Sequence, residues 1–349
     1  MNIFLTGATG FVGAELIQKL AKDPHKILYI LFRSERKKTT LLKKLDPSYH
    51  SRIHFINGDI TKHDCGVSED DLESMPQIDK FYHLAALVKF NFELADALYQ
   101  INYIGTKHAI ELAERLHTQH FLYVSTAYTV GEKEIAYETL HAIDAPTHNP
   151  YEATKVKAEH LVTQCATMAT SIIRPAIIIG DSKTGEADSQ FTLYGFMKAL
   201  KVFKRKIERQ NNQSIYRLFG DATHTSNFVP VDYVVDVLSV ACDHAENHTI
   251  YHATNNRPPS NAFIFETIKK HLDFNQLEVA PISEINTITD EERVLNSFID
   301  VFAPYFSKSV IFNDDNTSHM MKKAKKDTLQ LSHDTLDMII RVYFEKECI

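Results

Sequence analysis

Long apolar runs are missing from this 349-residue sequence, so no segment of it reads as a helix that spans a bilayer. The first strand pattern begins at residue 2 and leaves no room for a cleavable signal; the expected location is the cytoplasm. Cysteine is scarce. Cys65, Cys165, Cys242 and Cys348 are scattered, with no Cys-x-x-Cys pair and no zinc-like spacing to histidine, which excludes a disulfide framework and fits reduced thiols. The 18 histidines show no clustered ligand spacing, so no metal is expected. A basic excess is also lacking: 38 Lys and Arg stand against 45 Asp and Glu, and the net charge of −7 argues against a general nucleic-acid binder. Internal repeats and low-complexity tracts are absent. Charged residues at 24% and hydrophobic ones at 44% are ordinary for a globular chain.

What is present starts at residues 2–6, Asn-Ile-Phe-Leu-Thr, a short apolar strand that runs into Gly7-Ala8-Thr9-Gly10-Phe11-Val12-Gly13. A helix pattern follows at once, with Leu16, Ile17 and Leu20 on one side. A strand, a glycine turn and a helix in this order let a backbone approach a pyrophosphate, which the free N–H groups and positive dipole end of the helix then receive. A second strand, residues 26–32, should end beside the adenosine ribose. NAD-binding chains usually carry an acid there, but here the sequence reads Arg33-Ser34-Glu35-Arg36-Lys37-Lys38. A guanidinium fork grips a phosphate, so Arg33 and Arg36 point to NADP rather than NAD, with Glu35 as the counter-indication.

Further on, Tyr151-x-x-x-Lys155 places a phenol and an ammonium on one helix face. A tyrosine titrates near ~10, and a neighbouring cation is expected to lower that value and make the pair useful in proton transfer. The helix start is well written: Asn149 caps, Pro150 suits the first helical position, and Glu152 completes a capping-box-like pattern. Strand-like runs at 53–56, 80–84, 120–124 and 171–179 alternate with helix patterns, one of them carrying Leu94, Leu98, Ile101, Gly105, Ala109 and Leu112. This predicts an α/β fold, a Rossmann-type doubly wound parallel sheet over 1–180 to which 226–255 returns. A smaller, mostly helical C-terminal substrate lobe would comprise 181–225 and 256–349, with a strand near 277–285. In such sheets ligands bind past the carboxyl ends of the strands, where Gly7, Asp59, Ala85, Thr126 and Pro175 lie.

Taken together these residues resemble the extended short-chain dehydrogenase/reductases. The matches are Thr6-Gly-Ala-Thr-Gly-Phe-Val-Gly13, Gly58-Asp59, His83-Leu-Ala-Ala86, Asn102 with Gly105-Thr106, Ser125-Thr126, Tyr151-x-x-x-Lys155 and Arg174-Pro175, in family order over residues 1–180. Leu31-Phe-Arg33, Ala85-Ala-Leu-Val-Lys-Phe90, Val124-Ser-Thr-Ala-Tyr128, Phe228-Val-Pro-Val-Asp-Tyr-Val234 and Phe312-Asn-Asp-Asp-Asn-Thr317 look more like the thioester reductase and fatty acyl-CoA reductase branch than the sugar-nucleotide epimerases. The resemblance implies that Thr126, with Ser125 as the neighbouring alternative, aims a hydroxyl at a substrate carbonyl. Tyr151 would protonate the oxygen, while Lys155 tunes the phenol and bonds the nicotinamide ribose. Asp59 and Ile60 would contact adenine, Ala85 and Ala86 form a close wall, and Pro175, Ala176 and Ile178 meet the nicotinamide. Asn102 would hold active-site backbone or a water, or be an interior helical Asn satisfied locally.

The activity so implied is an NADPH-dependent reduction of an acyl thioester, carried on coenzyme A or an acyl carrier protein, or of a related carbonyl, to aldehyde or alcohol. Two other readings stay open: a sugar-nucleotide or steroid-type dehydrogenase, epimerase or dehydratase, and a non-catalytic NADP-sensing regulator. Lys198, Lys201, Lys204, Arg205, Lys206 and Arg209 on one helix, and Lys322, Lys323, Lys325 and Lys326 on another, either receive coenzyme A phosphates or an acidic carrier, or are solvated faces. Phe90, Phe92, Phe191, Phe196 and Met197 either line an acyl tunnel or belong to the core.

Overall fold

Seven short apolar runs become the strands of one parallel sheet. The computed structural model describes residues 1–188, 192–210 and 214–346, apart from the side chains of residues 299 and 301. Strands β1 (Asn2–Thr6), β2 (Ile27–Phe32), β3 (Ile53–Asn57), β4 (Lys80–His83), β5 (His120–Val124), β6 (Ala169–Pro175) and β7 (Thr249–Ala253) pair in the order β7-β6-β5-β4-β1-β2-β3. Helices cover both faces, which is why the central strands are apolar throughout rather than alternating. Ile3, Phe4, Leu5, Phe81, Tyr82, Phe121 and Leu122 are fully buried. Phe4, Phe81 and Phe121 stack across β1, β4 and β5 at 4.8 and 5.2 Å. Strand order reverses between β1 and β4, which opens a crevice past their carboxyl ends.

The chain returns to the sheet after a detour. Ile177–Ile179 leaves β6 and pairs with Phe228–Pro230, the helix Val231–His244 follows, and β7 then lies beside β6. The strand expected near 277–285 is Leu277–Ala280, succeeded by a 3-10 turn at Ile282–Thr287. Its parallel partner, Tyr216–Phe219, carried no sequence signal that separated it from its surroundings. The helices Leu193–Arg209, Asn261–Leu272 and His333–Lys346 share one buried apolar cluster with the sheet, running from Ile3 and Leu5 to Phe196, Ile264 and Ile339.

The helical pattern through Leu98, Ile101, Gly105, Ala109 and Leu112 is real but not uniform: Tyr99–Ile104 is wound as a π-helix between the α segments Ala95–Leu98 and Gly105–Arg115. Cys65, Cys165 and Cys242 are buried free thiols, and Cys348 lies outside the described residues. No helix among the described residues is long and apolar enough to cross a membrane.

Candidate active site

A cleft of about 550 Å³ lies past the carboxyl ends of β1, β2, β4, β5 and β6. Its floor is the glycine turn. Gly7 adopts φ +72°, and a Cβ there would lie 2.5 Å from the Ala85 nitrogen, so the turn can press against the wall after β4 only as glycine. At Gly13 a Cβ would meet the Ala8 Cα at 2.7 Å, which is what lets the helix Phe11–Ala21 start so close to β1. Gly10 caps that helix without a side-chain bond, and its first turn carries no acid. Its leading N–H groups and dipole therefore face the cleft ready for an anion.

The wall after β4 is held from behind. Thr6 Oγ1 lies 2.7 Å from His83 Nδ1 and accepts from the Ala85 N–H at 3.3 Å, while His83 Nε2 is 3.1 Å from Thr106 Oγ1. His83 is fully buried; burial first and Lys155 second push its pKa down to about 3, so it works as a neutral bonding group. Asn102, inside the π-turn, accepts from the Leu87 N–H at 2.7 Å and donates to the Leu87 carbonyl at 3.0 Å and to Thr154 Oγ1 at 3.2 Å. The irregular segment after β4 thus gains a backbone partner it would otherwise lack.

At the end of β5, Thr126 caps a 3-10 turn by accepting from the Tyr128 N–H at 3.3 Å, which leaves its own proton free to donate. Ser125 Oγ is buried and without a partner among the described residues, an orphan hydroxyl at the cleft wall. On the helix Pro150–Thr163, Asn149 Oδ1 accepts from the Glu152 N–H at 3.0 Å as expected. The Glu152 carboxyl reaches back one residue further than a capping box requires, to the His148 N–H at 2.8 Å.

Tyr151 and Lys155 share one face of this helix, both line the cleft, and both are buried. Lys155 Nζ donates to the Val124 carbonyl at 2.7 Å and sits 4.3 Å from the centre of the Tyr123 ring. Burial drives each group toward its neutral form: the Tyr151 phenol is pushed well up, with Glu152 adding to the effect, and Lys155 is pushed down to about 7. The expected lowering of the phenol by Lys155 is thus corrected. Burial and the Glu152 charge set the direction, and the neutral phenol they favour is the proton-donating form.

Of the other residues singled out from sequence, Gly7, Thr9, Gly10, Phe11, Val12 and Gly13 line the cleft at the glycine turn. Arg33, Asp59 and Ile60 line the far end, with Arg33 Nη1 donating to Asp59 Oδ2 at 3.3 Å, and Ala85, Ala86, Pro175, Ala176 and Ile178 line the walls. Three residues expected at the cofactor, Ala8, Arg36 and Asn102, do not line the cleft. Ala8 is fully buried beneath the turn, because Gly13 packs on it. Arg36 points to solvent one residue along the helix Glu35–Lys44, and Lys37 lines the cleft in its place. Asn102 stands behind the wall and holds the Leu87 backbone, the backbone-holding role expected of it.

Among the aromatic candidates only Phe90 lines the cleft; Phe92 is 70% exposed, Phe196 and Met197 are core, and Phe191 falls outside the described residues. Sequence reasoning missed Tyr128 and Tyr305 as cleft residues. Tyr128 sits two residues after Thr126 and was within reach of the motif, whereas no local pattern ties Tyr305 to Asn149 and Glu152, 156 and 153 positions earlier. Of the basic stretches, Lys201 is buried and Lys204 donates to the Leu272 carbonyl at 2.9 Å, while Lys198, Arg205, Lys206 and Arg209 are exposed. Lys322, Lys323, Lys325 and Lys326 are exposed.

An uncapped helix start, a turn with no room for a Cβ at Gly7 or Gly13 and an orphan hydroxyl together fit a dinucleotide with a reactive end near Tyr151. The model of the family described as "NAD_binding_4: Male sterility protein" matches residues 5–238. The chain belongs to that family. A nicotinamide dinucleotide is accordingly its cofactor class. The chain is 29% identical to "Fatty acyl-CoA reductase 1" of Homo sapiens over 325 residues, 78% of this chain and 60% of that protein. It is also 29% identical to "Fatty acyl-CoA reductase wat" of Drosophila melanogaster over 295 residues, 70% of this chain and 55% of that one. It thus spans a little over half the length of these curated relatives. The branch read from the phrases at Arg33, Phe90 and Tyr128 is the one to which these relatives belong. The terminal R domain of the myxalamid PKS-NRPS pathway shares the fold at a TM-score of 0.81 and 21% identity, covering 100% of this chain and 91% of that one. A thiolation-reductase di-domain from an archaeal non-ribosomal peptide synthetase does so at 0.78 and 22%, covering 99% and 75%.

Proposed function

We propose that this chain reduces the carbonyl of an acyl thioester with NADPH, with Tyr151 as proton donor. The observation that carries the reading is the convergence, on one cleft beside the glycine turn, of a buried neutral phenol, a buried amine and two hydroxyls, Ser125 and Thr126. When bound, the cofactor supplies a hydride from C4 of its reduced pyridine ring. Thr126 donates its free proton to the carbonyl oxygen, and the Tyr151 hydroxyl protonates that oxygen as hydride reaches the carbon. The resulting hemithioacetal would break its C–S bond as its hydroxyl proton passes to the sulfur, releasing a thiol and an aldehyde; once the spent cofactor is exchanged for a second NADPH, a second hydride, with a proton again from Tyr151, would give the alcohol. Lys155, which donates to the Val124 carbonyl, would orient the ribose hydroxyls. Relatives named as fatty acyl-CoA reductases and a neighbour that carries a thiolation domain support a thioester, on coenzyme A or on a carrier protein.

NADP is proposed over NAD because Arg33 and Lys37, two cations, line the end of the cleft after β2. The substrate-binding part is assigned to 181–225 and 256–349, which supplies Tyr305 and Thr192 to the cleft. The test is incubation with NADPH and a panel of acyl-CoAs, nucleotide sugars and hydroxysteroids, followed by loss of NADPH absorbance. Turnover with thioesters is expected. Turnover confined to sugars or steroids would replace this reading with the dehydrogenase/epimerase one, and tight NADPH binding without turnover of any substrate would favour a cofactor sensor.

A further inference from the structure

Around Tyr151 the cleft is lined by aromatic rings, those of Phe90, Tyr128 and Tyr305. Phe90 lies 5.9 Å from the Tyr151 ring, Tyr305 lies 5.2 Å from Phe90, and Tyr128 meets Tyr305 edge-on at 4.8 Å. Behind them Phe302 sits 6.4 Å from Phe90 and 6.4 Å from Phe196, which in turn is 5.1 Å from Phe306. Tyr128, Tyr305, Phe196 and Phe306 belong to the main buried cluster and Phe90 and Phe302 pack against it, so among the described residues these rings are backed by close-packed core. We propose that the Phe90–Tyr305 pair sets the acyl-chain length this enzyme accepts: a compact acyl group fits in front of the rings, and a long one is stopped by them. The proposal rests on the thioester-reductase reading above and names the substrate class within it.

The two rings are held differently. Tyr305 comes from the short helix Ala303–Phe306, and its hydroxyl donates to Glu152 Oε1 at 2.8 Å and accepts from Asn149 Nδ2 at 2.8 Å. Glu152 is fully buried, so swinging Tyr305 aside would strip a donor from a carboxyl group that water cannot reach. That side of the stop is therefore rigid, and it is fixed to the residue next to Tyr151. Phe90 lies on the irregular segment after β4 and is only half-buried, so it is the side that substitution can move. The C-terminal part of the chain thus supplies the specificity element, and the sheet supplies the chemistry.

The experiment measures kcat/KM with NADPH for butyryl- to palmitoyl-CoA, and for the matching acyl N-acetylcysteamine thioesters, which need no nucleotide or carrier recognition. It compares the wild type with Phe90→Ala and Tyr305→Leu. The wild type should favour the short chains, and in each variant the palmitoyl-to-butyryl ratio should rise about tenfold, the scale on which pocket walls discriminate alkyl groups. Phe90→Ala, on an irregular half-exposed segment, keeps the test alive if Tyr305→Leu folds poorly. A wild type that already prefers palmitoyl, or a ratio unchanged in folded variants, overturns the proposal while leaving the thioester reading intact. Tight NADPH binding with no turnover of any thioester by wild type or variants is a different result: it removes the thioester reading, and the chain-length stop with it.

Discussion

At Lys155 burial outweighs charge. The amine is pushed from 10.5 to about 7, so between those values the unfolded chain holds one more proton than the folded one. Stability must then rise with pH across that window, by up to about 1.4 kcal/mol per pH unit, and be insensitive to this group below it. Urea unfolding of wild type and Lys155→Met at pH 7 and pH 9 checks this: the wild type should gain on the variant at the higher pH, and an equal difference at both contradicts the assignment. Tyr151, kept neutral by the same burial, is the acid of the proposed reaction; Tyr151→Phe should cut kcat by about 10²- to 10⁴-fold while NADPH binding, read by fluorescence, is retained. At the far end of the cleft, Arg33→Ala with Lys37→Ala should, on the NADP proposal, raise the KM for NADPH about tenfold or more and leave that for NADH nearly unchanged, since each would remove a charge-assisted bond to the 2′-phosphate. Equal loss for both cofactors would assign these cations to the loop and not to the 2′-phosphate.

At the scale of elements, the turn after β1 was legible because its glycines are a steric requirement: only a residue without Cβ lets Gly7 meet the wall at Ala85. The same holds for the helix Pro150–Thr163, whose Asn149 cap and Pro150 are both local signals. The π-turn Tyr99–Ile104 was not legible, since its apolar spacing is that of an ordinary helix. The turn serves Asn102, whose side chain bonds both backbone groups of Leu87. Asn102→Leu would leave that N–H and C=O without partners and should cost about 2 kcal/mol or more by urea unfolding, with weakened NADPH binding because Leu87 lines the cleft. A stability loss with unaltered cofactor affinity would make Asn102 a purely structural residue.

For the molecule as a whole, the parallel sheet could be read from alternating apolar runs because each strand announces itself locally. The C-terminal contribution to the cleft could not, since Tyr305 reaches Glu152 only through long-range packing. The same is true of the ion pair that ties the sheet to the helix carrying Tyr151: Arg174 on β6 donates to Glu159 at 2.9 and 2.6 Å, both fully buried, and a further bond runs to the Thr139 carbonyl. Glu159→Ala leaves a buried guanidinium uncompensated and should destabilise the protein by about 3–5 kcal/mol, a large part of the stability of such a fold. The central claim concerns where hydride goes. The protein is incubated with NADPH carrying deuterium at C4 and a short acyl thioester, and the products are read by mass spectrometry, with Tyr151→Phe as control. The account predicts deuterium on the former thioester carbon of the aldehyde or alcohol, lost in the control; label retained on the cofactor, with the thioester intact or merely hydrolysed, would contradict it.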